Sequence, residues 1–125
     1  MDRVVHFEIP VDDLDRAQEF YKGVFDWKMN SMPGAGYVLI GTTATDEKGM
    51  PKEPGAINGG MLKRTGPIKS PVITISVPNI DESLGTVKAH GGKVAMDKFK
   101  VGEIGLSAYV EDTEGNVIGL WQELR

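Results

Sequence analysis

The chain contains no cysteine. That excludes disulfides, thiolate zinc sites and cysteine nucleophiles together. It also fits a reducing compartment, so a cytoplasmic location is expected. Long apolar runs are missing as well. Stretches such as "YVLI" fall far short of the roughly 20 residues that span a bilayer, and no basic segment followed by an apolar core opens the chain. No membrane span or secretion signal is therefore expected. The formal net charge is −4 with no basic block, whereas nucleic-acid binders usually carry a basic footprint. The nearest approach is "DKFKVGE", where two lysines and one aromatic read better as a solvated strand or loop than as a nucleic-acid platform. A phosphate-cradling glycine loop, a G-x-S-x-G elbow and an H-E-x-x-H motif are all absent.

What remains is a chain of 125 residues, 40% apolar and 26% charged, enough for one compact domain. Sixteen glycines imply many turns, strand kinks or close backbone approaches. Residues 3–9, "RVVHFEI", are rich in β-branched and aromatic types and predict a strand. Asp12 or Asp13 caps the following helix, and Asp15 adds a favourable charge to its first turn. Leu14, Ala17, Phe20, Tyr21 and Val24 recur at three- and four-residue steps, which predicts one apolar face, with Phe20 and Tyr21 packed in the core. That helix ends near Phe25. Beyond Pro33-Gly34, "GYVLIG" predicts a second strand, residues 42–55 a long polar loop that is a lid, a contact surface or plain mobile surface, and "AINGGML" a third strand whose paired glycines indicate a bulge or a close approach. "VITISV", residues 72–77, is the clearest strand. Asn79 caps a second helix, with Glu82 in capping-box spacing, an apolar stripe of Ile80, Leu84 and Val87, and Gly91-Gly92 as its terminator. Strands near "KVAMDKF" and "LSAYVED", the turn "DTEG" and a last strand "NVIGLWQEL" complete the chain.

The order repeats itself. Sliding the chain by 66 positions lays His6-Phe7-Glu8-Ile9 over Val72-Ile73-Thr74-Ile75, Leu14 over Ile80 and Asp15 over Asp81, without a gap. Two tandem βαβββ units, residues about 1–65 and 70–125, account for the whole chain as one α+β domain of curved mixed sheets around a cavity. Each unit is too small to bury its sheet alone, so a shared core is expected. Strand alternation sends Phe7 and Ile9 to the helix and His6 and Glu8 to the opposite face. In the second unit Ile73, Ile75 and Val77 take the apolar part, while Val72, Thr74 and Ser76 share the face of His6 and Glu8. If the sheets curl round that face it lines a cavity; otherwise it is solvated surface.

"HFEIPVDDLDRAQEFYKGVFDWKM", the paired units and the closing "EDTEGNVIGLW" resemble the vicinal oxygen chelate superfamily of glyoxalases, bleomycin-resistance proteins, fosfomycin-resistance transferases and extradiol dioxygenases, and most of all its small glyoxalase-like members. The resemblance covers essentially the whole chain. Thr113 stands where family turns often carry proline. In metal-dependent members the ligands sit on the first and last strands of each unit, around one ion. His6 matches the first of these positions. The others fall on Val72, Gly60 and Gly119, none of which can ligate. One ligand does not hold a divalent ion, since catalytic zinc and facial iron sites both need three. A makeshift His6–Glu8–Glu123 site is the alternative, with a divalent metal at His6. Glu8 lies about 7 Å along the strand from His6. His90 sits at a helix end, where it complements the dipole.

The resemblance therefore implies a pocket without a metal or other cofactor, lined by His6, Glu8, Val72, Thr74, Gly60, Gly119 and Trp121 and taking a small organic ligand. Trp121 walls the pocket, or serves as a core or dimer-interface aromatic. Two other readings stand beside this one. One is acid–base chemistry by His6 and Glu8, such as proton abstraction beside a carbonyl. The other is metal-dependent lyase, isomerase or dioxygenase activity as in many relatives. A homodimer is expected because many relatives pair through open sheets.

Overall fold

A computed structural model describes residues 1–32 and 34–125; Pro33, which precedes the predicted second strand, lies outside the described residues. The chain divides into two compact units, one of His6–Pro71 and one of Val72–Arg125 joined by Met1–Val5. The first five residues group with the later module.

In the unit His6–Pro71, strand β1 (Arg3–Val11) leads to helix α1 (Leu14–Phe25), then β2 (Lys28–Met32), β3 (Tyr37–Gly41) and β4 (Gly59–Lys63). Asp13 caps the helix, its carboxylate accepting from the Arg16 N–H at 3.0 Å. The helix stops at Asp26, a non-glycine residue in the left-handed region at φ 59° whose N–H returns to the Lys22 carbonyl. The strand order is β2-β3-β4-β1, with β1 parallel to β4 and the other pairs antiparallel. Phe7 and Ile9 pack towards α1 with Val11, Val38, Ile40 and Met61, as the alternation required.

Two expectations change here. First, β2 is a strand that "KMNSM" did not announce; it forms by pairing with β3, Met29 against Ile40, and only Met29 joins the core. Second, α1 buries no residue fully. Phe20 is 55% and Val24 57% exposed, so Phe20 is not a core residue. Tyr21 does pack inward, stacked on Trp27 with ring centroids 5.2 Å apart. The reason is the narrowness of the buried stripe, which Leu14, Ala17 and Tyr21 already fill. The 42–55 stretch is fastened at its root and tip. Thr42 donates to the Ile57 carbonyl at 2.7 Å, and the Asp46 carboxylate accepts from the N–H groups of Lys48 and Met50.

In the unit with Val72–Arg125 the plan recurs: β5 (Val72–Ser76), α2 (Ile80–Ala89), β6 (Lys93–Val101), β7 (Gly105–Glu111) and β8 (Val117–Glu123), ordered β5-β8-β7-β6 with β5 parallel to β8. Asn79 caps α2 by accepting from the Glu82 N–H at 3.0 Å, and Gln122 on β8 accepts from the Ile80 N–H at 2.8 Å, tying the helix start to the sheet. Gly91 takes φ 92° and ends the helix, as its place in the sequence predicts. Val77, Ile80, Leu84, Ala108, Val110 and Leu120 form the core under α2, with Ile75 against them. Ile73, assigned to the same apolar row, is instead 46% exposed and stands outside that core.

Candidate functional site

The two units use one register. Glu8 on β1 stands opposite Gly60 on β4, and Thr74 on β5 stands opposite Gly119 on β8. Thr74 is the counterpart of Glu8 in the 66-residue repeat, so the sequence alignment and the strand pairing agree. Both glycines are places where something else needs the room. A Cβ on Gly119 would lie 2.7 Å from the Thr74 hydroxyl oxygen, and a Cβ on Gly60 would fall on the hydroxyl of Tyr37.

Tyr37 is the residue that the sequence reading missed. It opens β3 and pairs with Leu62, two places along from Gly60. From there its ring crosses the bare backbone of Gly60 and reaches β1. Its hydroxyl donates to Glu8 Oε2 at 2.8 Å and lies 2.9 Å from His6 Nε2. Strand parity offered a signal: in "GYVLIG" Val38 and Ile40 are core residues, so Tyr37 must face the other way, towards His6 and Glu8. The two glycines of "AINGGML" were the other half of it.

His6, Glu8, Gly60 and Tyr37 are thus brought together in one unit. Glu8 is buried at 6% exposure and His6 is half-buried. Desolvation lowers the pKa of His6 below its ordinary 6.5, and the negative charge of Glu8 opposes that shift only in part. The imidazole is therefore neutral near neutral pH.

In the other unit, Val72 and Thr74 are both buried. Thr74, Gly119, Tyr109, Ser107 and Trp121 share the face away from α2, as the pairings Thr74–Gly119, Tyr109–Gly119 and Ser107–Trp121 require. Trp121 is half-buried over Gly105, where a Cβ would meet the indole ring, and its Nε1 is 3.4 Å from Glu123 Oε2. Phe99 stacks beside Tyr109 at 6.4 Å. Two open hollows of about 350 Å³ occur elsewhere. One is lined by Met1, Arg3, Ser76, Val77, Pro78 and Glu123, the other by Asp26, Lys28, Gly41 and Thr42 to Thr45. Neither includes His6, Glu8, Gly60, Gly119 or Trp121.

The donor set does not fit the divalent ion that the resemblance brings with it. Among the described residues no three of His, Asp and Glu stand close enough together to hold one. His6 Nε2 and Glu8 Oε2 converge on a phenol oxygen instead. Glu123, the third member of the alternative site, lies 3.1 Å from Arg125 Nε and 3.4 Å from Trp121 Nε1. His90 directs Nδ1 to the Thr86 carbonyl at 3.0 Å, a helix-end contact as expected.

Geometry of this kind defines a class: an α+β protein of tandem βαβββ units, each with its first strand parallel to its last. Residues 3–43 match the family model described as bleomycin resistance protein-like N-terminal. No curated protein matches the chain. Among solved structures, a hypothetical protein from Bacillus halodurans superposes with a TM-score of 0.64 at 16% identity, covering 99% of this chain and 96% of that one. A methylmalonyl-CoA epimerase from Streptomyces coelicolor, in complex with 2-nitronate-propionyl-CoA, gives 0.64 at 18% identity and 98% of both chains. A glyoxalase/bleomycin resistance protein/dioxygenase superfamily member from Vibrio splendidus gives 0.63 at 14% identity, with 98% and 100% covered. The protein has the glyoxalase/bleomycin-resistance/dioxygenase fold, as its sequence motifs implied. Among the described residues no helix is long and apolar enough to cross a membrane.

Proposed function

We propose that the protein is a metal-free member of this fold that binds a small organic ligand on the sheet face of the unit His6–Pro71 that carries His6, Glu8 and Tyr37. One observation carries the reading. The position from which an acidic side chain on β4 would project, Gly60, is covered by Tyr37, and the Tyr37 hydroxyl engages the two side chains on β1 that would otherwise serve as ligands. Tyr37 fills the space at Gly60 and Thr74 the space at Gly119, and neither glycine carries a side chain that could coordinate a cation. The ring and hydroxyl of Tyr37 beside the imidazole of His6 suit a compound with a planar part and a few polar anchors. A homodimer and a cytoplasmic location belong to the same reading. The test is a thermal-shift screen with planar aromatic compounds and small oxo-acids, because a ligand of the native state raises its Tm. A rise with members of that panel in metal-free buffer supports the reading. No rise with any of them, against a rise with a divalent cation alone, contradicts it.

Acid–base catalysis is a second reading, favoured by the hydrogen-bonded line of His6, Tyr37 and Glu8. It predicts that solvent deuterium enters a bound ligand beside its carbonyl faster with the native protein than with His6→Ala. Exchange at the buffer rate in both removes it.

A further inference from the structure

A proton count along the His6–Tyr37–Glu8 line fixes what the site offers to a ligand. A phenol has one proton to donate. In Tyr37 that proton goes to Glu8 Oε2, at 2.8 Å. The contact at 2.9 Å between the Tyr37 oxygen and His6 Nε2 then lacks a proton unless the imidazole supplies it. His6 must therefore carry its proton on Nε2. Burial keeps the ring neutral, so Nδ1 holds a bare lone pair, and no hydrogen bond to Nδ1 occurs among the described residues.

We propose that Tyr37 and Glu8 act as positioning residues that lock His6 in the Nε2–H form, so that His6 Nδ1 recognises ligands presenting a hydrogen-bond donor. The ligand class follows from the atom: a hydroxyl or amide N–H pointing at Nδ1, and not a bare carbonyl or carboxylate oxygen, which would face a lone pair with a lone pair. The preference rests on the ligand-binding reading above, but the tautomer lock does not.

Nitrogen-15 NMR of histidine-labelled protein tests both parts. Two-bond proton–nitrogen correlations separate the two neutral tautomers and the imidazolium by their pattern. In the native protein at neutral pH, His6 is expected to show a protonated Nε2 and an unprotonated Nδ1. Tyr37→Phe keeps the ring over Gly60 and removes only the hydroxyl, and there His6 is expected to become a mixture of tautomers. A native His6 with the proton on Nδ1, a charged imidazolium, or an unchanged pattern in Tyr37→Phe overturns the lock. For the ligand class the probes are phenol and anisole, alike in ring and unlike in the donor. Phenol is expected to move the Nδ1 resonance at least several-fold more than anisole. Equal shifts, or none with either, overturn the donor preference. The tautomer measurement uses no ligand, so it fails separately from the binding screen.

Discussion

The phenol of Tyr37 lies across Gly60, on the spot where any larger residue would place its Cβ. This contact explains a paired-glycine strand that would otherwise be a weakness, since glycine in a strand interior forfeits packing. It also places a hydroxyl between the two β1 side chains that the sequence singles out, His6 and Glu8.

Gly60→Ala should be destabilised by about 1–3 kcal/mol, the usual cost of forcing a group into occupied space. Most of that cost should vanish when Tyr37→Ala is introduced as well, because the two substitutions act on the same volume. Urea denaturation of the four proteins of the cycle checks this. Additive losses would mean that the ring does not lie over the glycine.

The Tyr37 hydroxyl should be worth about 1–3 kcal/mol, because its loss strips His6 Nε2 and buried Glu8 of a shared partner. Tyr37→Phe should therefore unfold at lower urea with an unchanged m-value. A midpoint equal to the native one would show that the hydroxyl makes no net contribution.

Stability should fall in two separate steps as pH is lowered. His6 has a folded pKa below 6.5. In the window just below 6.5 the unfolded chain therefore binds the proton and the folded one does not, so stability is present above that value and is lost as pH drops towards the folded pKa. Asp13 and Asp112 behave in the same sense at lower pH. Their pKa values lie below 3.8, held down chiefly by the Arg16 backbone N–H for Asp13 and by the Asn116 side chain for Asp112. Their contributions persist above 3.8 and vanish below it. Thermal melts across this range should show the upper step in native protein and not in His6→Gln. An upper step of equal size in both would assign it to another group.

Much of this architecture can be read in the chain before any coordinates. Asp13 and Asn79 announce the helix starts because capping is a local matter, decided within three residues. The alternation of Phe7 and Ile9 with His6 and Glu8 gave the two faces of β1 because a strand has a fixed period. The family resemblance singled out Gly60 and Gly119, and the register sets them opposite Glu8 and Thr74 in their own units. Non-local chemistry was the part that stayed hidden. "KMNSM" has little strand character of its own and pairs only because β3 returns beside it. Tyr37 is 31 residues from His6, and nothing local marks it as the third member of the site. Phe20 was misplaced because a helical stripe read from periodicity is wider than the strip that this small sheet covers.

The aromatic cluster makes the same point measurable. Trp27→Ala removes a half-buried ring stacked on Tyr21 and should cost about 3 kcal/mol. Phe20→Ser, on the exposed side of α1, should stay within about 0.5 kcal/mol of native. Equal losses in thermal or urea melts would return Phe20 to the core.

Elemental analysis of protein purified without a chelating tag bears most directly on the whole account. With a tyrosine hydroxyl standing where a cation would need His6 and Glu8, the account predicts no stoichiometric transition metal, and no Tm rise on adding zinc, manganese, nickel or iron(II). A stoichiometric ion retained through dialysis, and lost in His6→Ala, would contradict it.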